Sequence, residues 1–403
     1  LRVSPKCWTK TRNDTVRGVE VQLPDGKACV FQPADSQEHA WVLVCDSGGI
    51  VGYALFYVDD ILLAAHAANL VAIRNAVKLI WKVKDQGTLL NPADKSYTDE
   101  AKMSLNVQSE LGFLGMRLGF NAAGNLECHQ CPYIRSCLKE RGFGEVRGSL
   151  SLPAVQEGMQ PEFANRDSEE YRVLIRKGQQ EIGALLWASQ RSRPDIAACV
   201  GALGSLLVTH PKKVLEWCHQ VWRYLAGTVE HRIVFQGQAV QADAFELSVS
   251  ADASFAPGGS KSRSGVVAML NGCLIQWSST RQSLAAQSAV EAEIQAAGLG
   301  CVTAIAILNL MKSLIGKSTL RVELLSDNTG CIANILHTVT TWRNRHICIR
   351  AAALRDQLTE HSIDLKYRSG RLILADALTK VLGRNALELA RAALGVSNPP
   401  YSS

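Results

Sequence analysis

No uncharged apolar run is expected to reach the roughly 18 residues that a membrane span requires. The most apolar stretch, Ala304 to Leu314, is short and carries Lys312. The 12 cysteines follow no regular spacing, and Leu1-Arg2-Val3-Ser4-Pro5 is not a charged-then-apolar leader. A secreted disulfide framework is therefore excluded, and reduced intracellular thiols are expected. The chain does not start with Met, which suggests an internal piece of something longer. It has no internal repeat and no low-complexity tract. A strong charge bias is also missing: net charge is +6, with a pI near 8.7. That balance permits a polyanionic partner without requiring one. What is present is ordinary globular material, 47% hydrophobic and 20% charged over 403 residues. At about 150 residues per domain, two or three domains are expected.

Residues 1–145 alternate short apolar runs with turn residues. Tyr53 to Val58 and Ile61 to Ala64 read as two strands around a polar tip. Leu70, Ile73, Val77 and Ile80 share one face of a helix over Asn69 to Lys82. Residues 86–110 read as a polar surface loop, and strand character returns over 111–120. Residues 146–170 form a polar linker, and 171–230 are helical with breaks at Arg193-Pro194-Asp195 and His210-Pro211. A proline there suits a helix start. From 246 the pattern is three strands with an Asn271-Gly272 hairpin turn. A long helical region over Ser283 to Ile315 follows, then helices alternating with strands. The fold class this predicts is α/β with α+β, a mixed sheet covered by helices.

Four carboxylates recur at telling places in this half. Asp252 follows the first strand and Asp327 the strand after the long helix, Glu293 lies within that helix, and Asp376 opens the last one. A lone Asp at a strand end is usually a turn residue or a cap. Buried together, however, carboxylates demand a counter-charge. A hard all-oxygen set suits Mg²⁺, and two such ions about 4 Å apart can activate water and stabilise a leaving phosphodiester oxygen. The order therefore reads as one two-metal nuclease site. The N-terminal half carries a second acidic feature. Phe56-Tyr57-Val58-Asp59-Asp60-Ile61 places Asp59 and Asp60 at the tip of an apolar hairpin, either a charged turn or the Mg²⁺-holding tip of a polymerase palm.

Residues 246–382 resemble the ribonuclease H domain of copia-type LTR-retrotransposon polyproteins, in SADASFA, SRSGVV, IQWSSTRQ, SAVEAEIQA, LLSDNTGCIANI, RNRHICIR and LADALTK. YVDD in its apolar hairpin is similar to the reverse transcriptase of the same polyproteins. So are LRVSPKCW at the start, Leu111 to Leu118, Gln130 with Tyr133-Ile134, Gln180 to Trp187, Arg193 to Ala197 and Arg223 to Thr228. The resemblance implies a partial reverse transcriptase palm over 1–145, a linker and helical connection over 146–245, a ribonuclease H-like domain over 246–385 and an unassigned tail over 386–403.

It also implies Mg²⁺-dependent hydrolysis of the RNA strand of RNA–DNA hybrids, with two ions on Asp252, Glu293, Asp327 and Asp376; Glu293-Ile-Gln-Ala continues the family pattern, and Glu291 is the fallback. Asp59 and Asp60 become metal-binding catalytic acids of the polymerase. Its partners are RNA–DNA hybrid, RNA template and DNA, with no membrane, in a cytoplasmic particle or the nucleus. Arg343, Arg345 and His346, beside Arg350, are expected on nucleic-acid phosphates. Ser278, Ser279, Arg281 and Gln282 are expected along the hybrid backbone. The loop Tyr367-Arg368-Ser369-Gly370-Arg371 lacks the His that many ribonucleases H carry before the last Asp, so slower turnover is expected. A palm needs a further upstream Asp, so DNA synthesis is expected only of a full-length parent. Two rivals share these features: an inactive remnant that only binds nucleic acid, and an integrase-like nuclease using three acids. Cys128-His129-Gln130-Cys131 with Cys137 resembles half a zinc site, but no second ligand pair stands at suitable spacing.

Overall fold

A computed structural model of the chain describes residues 5–34, 37–93, 103, 105–144, 148–156, 158–163, 166–236, 244–316, 319–337 and 345–398; of 5–8, 345 and 346 it describes the backbone alone. The chain divides into two compact units. The first comprises residues 1–126 with 241–243 and 306–319, the second the remainder.

The first unit opens with helix α1 (Pro5–Arg17), followed by β1 (Glu20–Gln22), β2 (Ala28–Ala34), β3 (Gln37–Cys45), β4 (Ile50–Tyr57) and β5 (Asp60–Ala65). These strands pair in chain order as an antiparallel meander. Helix α2 (Ala67–Ile80) packs on it, burying Ile73 and Val77. Alternation decides the faces: Gly52, Ala54 and Phe56 of β4 point inward while Tyr53 and Tyr57 are exposed. Phe56 meets Phe31, Trp41 and Trp81 edge to face, with centroids 6.0, 6.2 and 5.7 Å away. Val58 turns the β4–β5 hairpin at φ 51°, a conformation that a β-branched residue adopts only under strain. Strands β6 (Glu110–Phe113) and β7 (Met116–Phe120) form a tight hairpin across Leu114 and Gly115, both at positive φ. Within the expected 86–110 loop, Thr88 bridges to Val107.

The second unit starts with β8 (Leu126–His129) and α3 (Cys131–Glu140), then α4 (Glu169–Arg191), α5 (Ala197–Leu206) and α6 (Pro211–Gly227). Both proline breaks behave as the sequence suggests: Pro194 opens a short 3₁₀ turn into α5, and Pro211 starts α6. Leu185, Leu203, Trp217, Val221 and Trp222 form the core of this helical cluster. Strand β9 (Arg232–Phe235) follows.

Next come β10 (Ala244–Ser254), β11 (Arg263–Leu270) and β12 (Cys273–Arg281), then α7 (Ala289–Leu314), whose residues up to Ile305 belong here. Strand β13 (Thr319–Ser326), α8 (Thr329–Leu336), α9 (Arg345–Glu360), β14 (Ile363–Tyr367) and α10 (Asp376–Thr379) complete the mixed layer. The sheet order is β12-β11-β10-β13-β14, antiparallel across β10–β11–β12 and parallel between β13 and β14. Asn271 and Gly272 make the expected hairpin turn, both at positive φ.

Two expectations need correction. First, α7 runs uncharged from Ile294 to Met311, long and apolar enough by length and composition to cross a membrane. More than half of that window is buried in the protein. Gly300 lies so close to the sheet that a Cβ there would meet Leu324 at 2.8 Å and Ala251 at 3.2 Å. A helix packed this tightly is apolar for reasons of core packing. Second, the segment left unassigned beyond 385 is built into the second unit over its described residues, up to Asn398. Helix α11 (Arg384–Ala393) buries Leu387 in the helical core, and β15 (Val396–Ser397) pairs with β9 through Val396 and Ile233.

Candidate active site

Strand β10 delivers Asp252 to the sheet interior, where it lies opposite Gly265 of β11. A Cβ at Gly265 would fall 2.6 Å from the Ala375 carbonyl and 2.8 Å from Thr379 Cγ2. Glycine is thus what lets α10 settle on this strand pair, and α10 carries Asp376 and Thr379, with Lys380 directly after it. Asp327 follows the end of β13, where Ser326 Oγ accepts the amide of Asn328 and Asn328 caps α8. Gly370 backs onto this acid, since a Cβ there would fall 2.6 Å from Asp327 Oδ2. Glu293 projects from the second turn of α7.

Carboxylate oxygens of Asp252, Glu293 and Asp327 all lie within 4.8 Å of one another, with the first two buried. Asp376 stands beside this trio rather than in it. It forms an ion pair with Lys380, and its charge raises the pKa of Asp252. Thr379 donates its hydroxyl to Asp252 Oδ2, holding one oxygen of that acid in place.

The electrostatics match a site built for a cation. Burial, with help from Asp252 and Asp327, pushes the Glu293 carboxyl up to about 8. Burial also raises Asp252, against the opposing pull of Thr379 and Lys380. Glu293 Oε2 is buried with no hydrogen-bond partner among the described residues. A buried orphan oxygen facing two more carboxylates is costly unless a cation completes it. The donor set is oxygen only, which suits a hard divalent ion.

The sign of the pH dependence follows. Below about 8, Glu293 keeps a proton in the folded chain, whereas at the ordinary value of 4.5 the unfolded chain has released it. The metal-free fold therefore loses stability as pH rises from 4.5 towards 8. A cation binds only the carboxylate, so binding expels that proton. Affinity for Mg²⁺ or Mn²⁺ is expected to climb about tenfold per pH unit from ~5 to ~8 and then level off. Calorimetric titration across that range checks this; a flat profile in the wild type would refute it, and Glu293→Gln should lose the slope.

Glu291, the fallback acid, does different work. Its Oε2 accepts the Gln287 amide at 2.8 Å, its own amide donates to Ser288 Oγ at 3.1 Å, and its Oε1 pairs with Arg350 at 2.8 Å. This is a close variant of a capping box at the start of α7. Glu291→Ala is expected to cost about 1–2 kcal/mol of stability while leaving metal affinity within about twofold of the wild type. Denaturant midpoints and the same titration separate the two effects.

The chain is 25% identical over 391 residues to the Transposon Ty1-ER2 Gag-Pol polyprotein of Saccharomyces cerevisiae, covering 95% of this chain. It is 26% identical over 368 residues, 90% of this chain, to the retrovirus-related Pol polyprotein from transposon RE1 of Arabidopsis thaliana. Its relatives are Ty1/copia-type Pol polyproteins. The chain spans 20% and 23% of the length of those two polyproteins. No family model matches it. Two solved structures align with part of it: the N-terminal RNase H domain of a Mycobacterium tuberculosis protein fused to maltose-binding protein, and an RNase H1 isolated from compost by a metagenomic approach. Identities are 16% and 15% and TM-scores 0.26 and 0.25, over 37% of this chain and 97% and 98% of theirs.

The remaining residues singled out by likeness to Ty1/copia-type Pol scatter more. Asp59 is exposed and Asp60 half-buried at the hairpin tip, and among the described residues neither joins a cluster of three acids. Gln282 corrects the expectation of backbone contact: it is buried, and its amide donates to Ser264 Oγ and the Ala292 carbonyl, both at 2.9 Å. Ser279 donates to the Leu378 carbonyl at 2.6 Å, which ties β12 to α10. Ser278 is half-buried and Arg281 exposed. Arg343 and the side chains of Arg345 and His346 lie outside the described residues. Burial pushes the Cys128 and Cys131 thiols up to about 11, and the Cys131 amide donates to His129 Nδ1 at 3.2 Å.

Sequence reasoning missed Thr379 and Lys380 as partners of the acids. The signal was their place one turn after Asp376, since residues three and four apart share a helix face.

Proposed function

We propose that this chain carries a ribonuclease H-type nuclease that hydrolyses the RNA strand of RNA–DNA hybrids. The observation that carries this reading is the convergence of Asp252, Glu293 and Asp327 within 4.8 Å around an orphan carboxylate oxygen. Strand order β12-β11-β10-β13-β14, with acids on the first and fourth strands in sequence, supports it. The kinship with Pol polyproteins supports a nucleic-acid substrate.

Asp252, Glu293 and Asp327 would hold a divalent ion, with Asp376 beside it for a second. Mg²⁺ there supplies an activated water and charge stabilisation at the phosphodiester. The chain's own contribution is positional. Thr379 fixes one oxygen of Asp252, Gly370 backs Asp327, and Glu293 is buried beside them. We further read the first unit as part of a polymerase palm presenting Asp59 and Asp60. The support is the YVDD tip held by Val58 at positive φ.

One gel assay tests the nuclease reading. The 403-residue chain is incubated with labelled RNA–DNA hybrid, duplex DNA and duplex RNA, with Mg²⁺ or with EDTA. Cleavage of the hybrid RNA strand only, and only with metal, is the expected result. Cleavage of duplex DNA would favour the integrase-like alternative. Binding of all substrates with no cleavage would favour an inactive remnant.

A further inference from the structure

Cys29 and Cys45 sit opposite each other on β2 and β3. The Cys45 amide turns away to the Gly49 carbonyl, at 3.0 Å, and the next amide, Asp46, bonds Ala28 across the strands, at 3.2 Å. The two cysteines thus occupy a non-hydrogen-bonded pair, the position at which facing side chains of antiparallel strands come closest. Their Sγ atoms are 3.0 Å apart, inside ordinary sulfur–sulfur contact. Both cysteines are buried, Cys29 completely and Cys45 to within 5%, and Cys45 ends its strand beside the exposed turn Asp46-Ser47-Gly48.

We propose that Cys29 and Cys45 form a dithiol that hydrogen peroxide closes to a cross-strand disulfide, bracing the sheet that carries the Asp59–Asp60 hairpin. The step balances as follows. The Cys45 sulfur attacks a peroxide oxygen, the O–O bond breaks and one water leaves, giving a sulfenic acid. The Cys29 sulfur then attacks the Cys45 sulfur, the S–S bond forms and a second water leaves. Two thiols are oxidised and one peroxide is reduced. Burial and the contact with Cys45 push the Cys29 thiol up to about 12, so the second attack draws on a small thiolate fraction. Its compensation is proximity, because the attacking atom is already in contact with its target. Cys45, the less enclosed of the two and next to the exposed turn, is the point of entry. Once closed, the bond ties β2 to β3, and β3 is the direct neighbour of β4, the strand that runs into Val58-Asp59.

The test uses the full chain. Native protein is treated with hydrogen peroxide, free thiols are trapped with N-ethylmaleimide during unfolding, and the chain is cut with a glutamate-specific protease. Cleavage after Glu38 places Cys29 and Cys45 on separate peptides. The expected product is those two peptides joined, lighter by two hydrogens, and separated by dithiothreitol. Cys45→Ser should abolish the joined species and leave Cys29 labelled, and protein oxidised in urea should scramble its pairs. Maleimide on both Cys29 and Cys45 after peroxide would overturn the proposal. So would bonding of either to another cysteine, or oxidation of Cys45 to a sulfinic acid without cross-linking.

Discussion

Asp327→Asn is expected to lower cleavage of hybrid RNA by on the order of 10³-fold while leaving the fold intact. The substitution keeps the shape and removes the charge from one of three acids that meet within 4.8 Å. Asp327 is half-buried, unlike Asp252 and Glu293, so the loss of charge leaves no new buried void. A neutral amide also relieves like-charge repulsion, since Asp327 helps raise both Asp252 and Glu293. Two readouts are needed together: the hybrid-cleavage rate, and the thermal midpoint without metal, which should hold or rise slightly. Cleavage unchanged by the variant would remove Asp327 from the site. A collapsed midpoint would make its role structural.

The second large effect is expected far from the acids. Arg193 and Asp195 are both fully buried, joined by hydrogen bonds of 3.0 and 2.7 Å. Arg193 also donates to the carbonyl and hydroxyl of Thr228, and Tyr224 donates to Asp195 at 2.6 Å. Arg391 of α11 reaches the same Tyr224 hydroxyl at 3.3 Å. Removing one charge leaves the other buried and unpaired, which typically costs about 3–5 kcal/mol. Asp195→Ala should lower the denaturant midpoint accordingly. Replacing both partners, Arg193→Met with Asp195→Leu, should recover much of that loss, because no orphan charge remains. A single substitution costing under about 1 kcal/mol would sink this account. Burial opposes the charge on Asp195, but Arg193 prevails and holds its pKa below the ordinary value. The stability this contributes is present above the unfolded carboxylate value and is lost as pH falls through the folded one.

Much of this was legible in the residues themselves. Apolar alternation and helical spacing are local properties, so the hairpins at Val58-Asp59 and Asn271-Gly272 and the helix starts at Pro194 and Pro211 could be read without a fold. The order of Asp252, Glu293, Asp327 and Asp376 marked a set of acids because each sits at an element end or on a helix face, where spacing carries meaning. The choice between Glu291 and Glu293 could not be made that way. Two residues apart on a helix they point in different directions, and only packing showed one capping α7 and the other facing Asp252.

Gln282 was misread for a related reason. A polar residue after a strand is usually exposed, but here two internal acceptors take up its buried Nε2, while Oε1 has no hydrogen-bond partner among the described residues. The uncharged length of α7 and the structured segment beyond 385 depend on what lies across from them, the sheet in one case and β9 in the other. The sequence by itself determined the element types and which acids to watch. The tertiary structure alone decided which three acids share a site, that Thr379 holds Asp252, and that Cys29 meets Cys45. Those are contacts between residues distant in the chain, and local propensity carries no information about them.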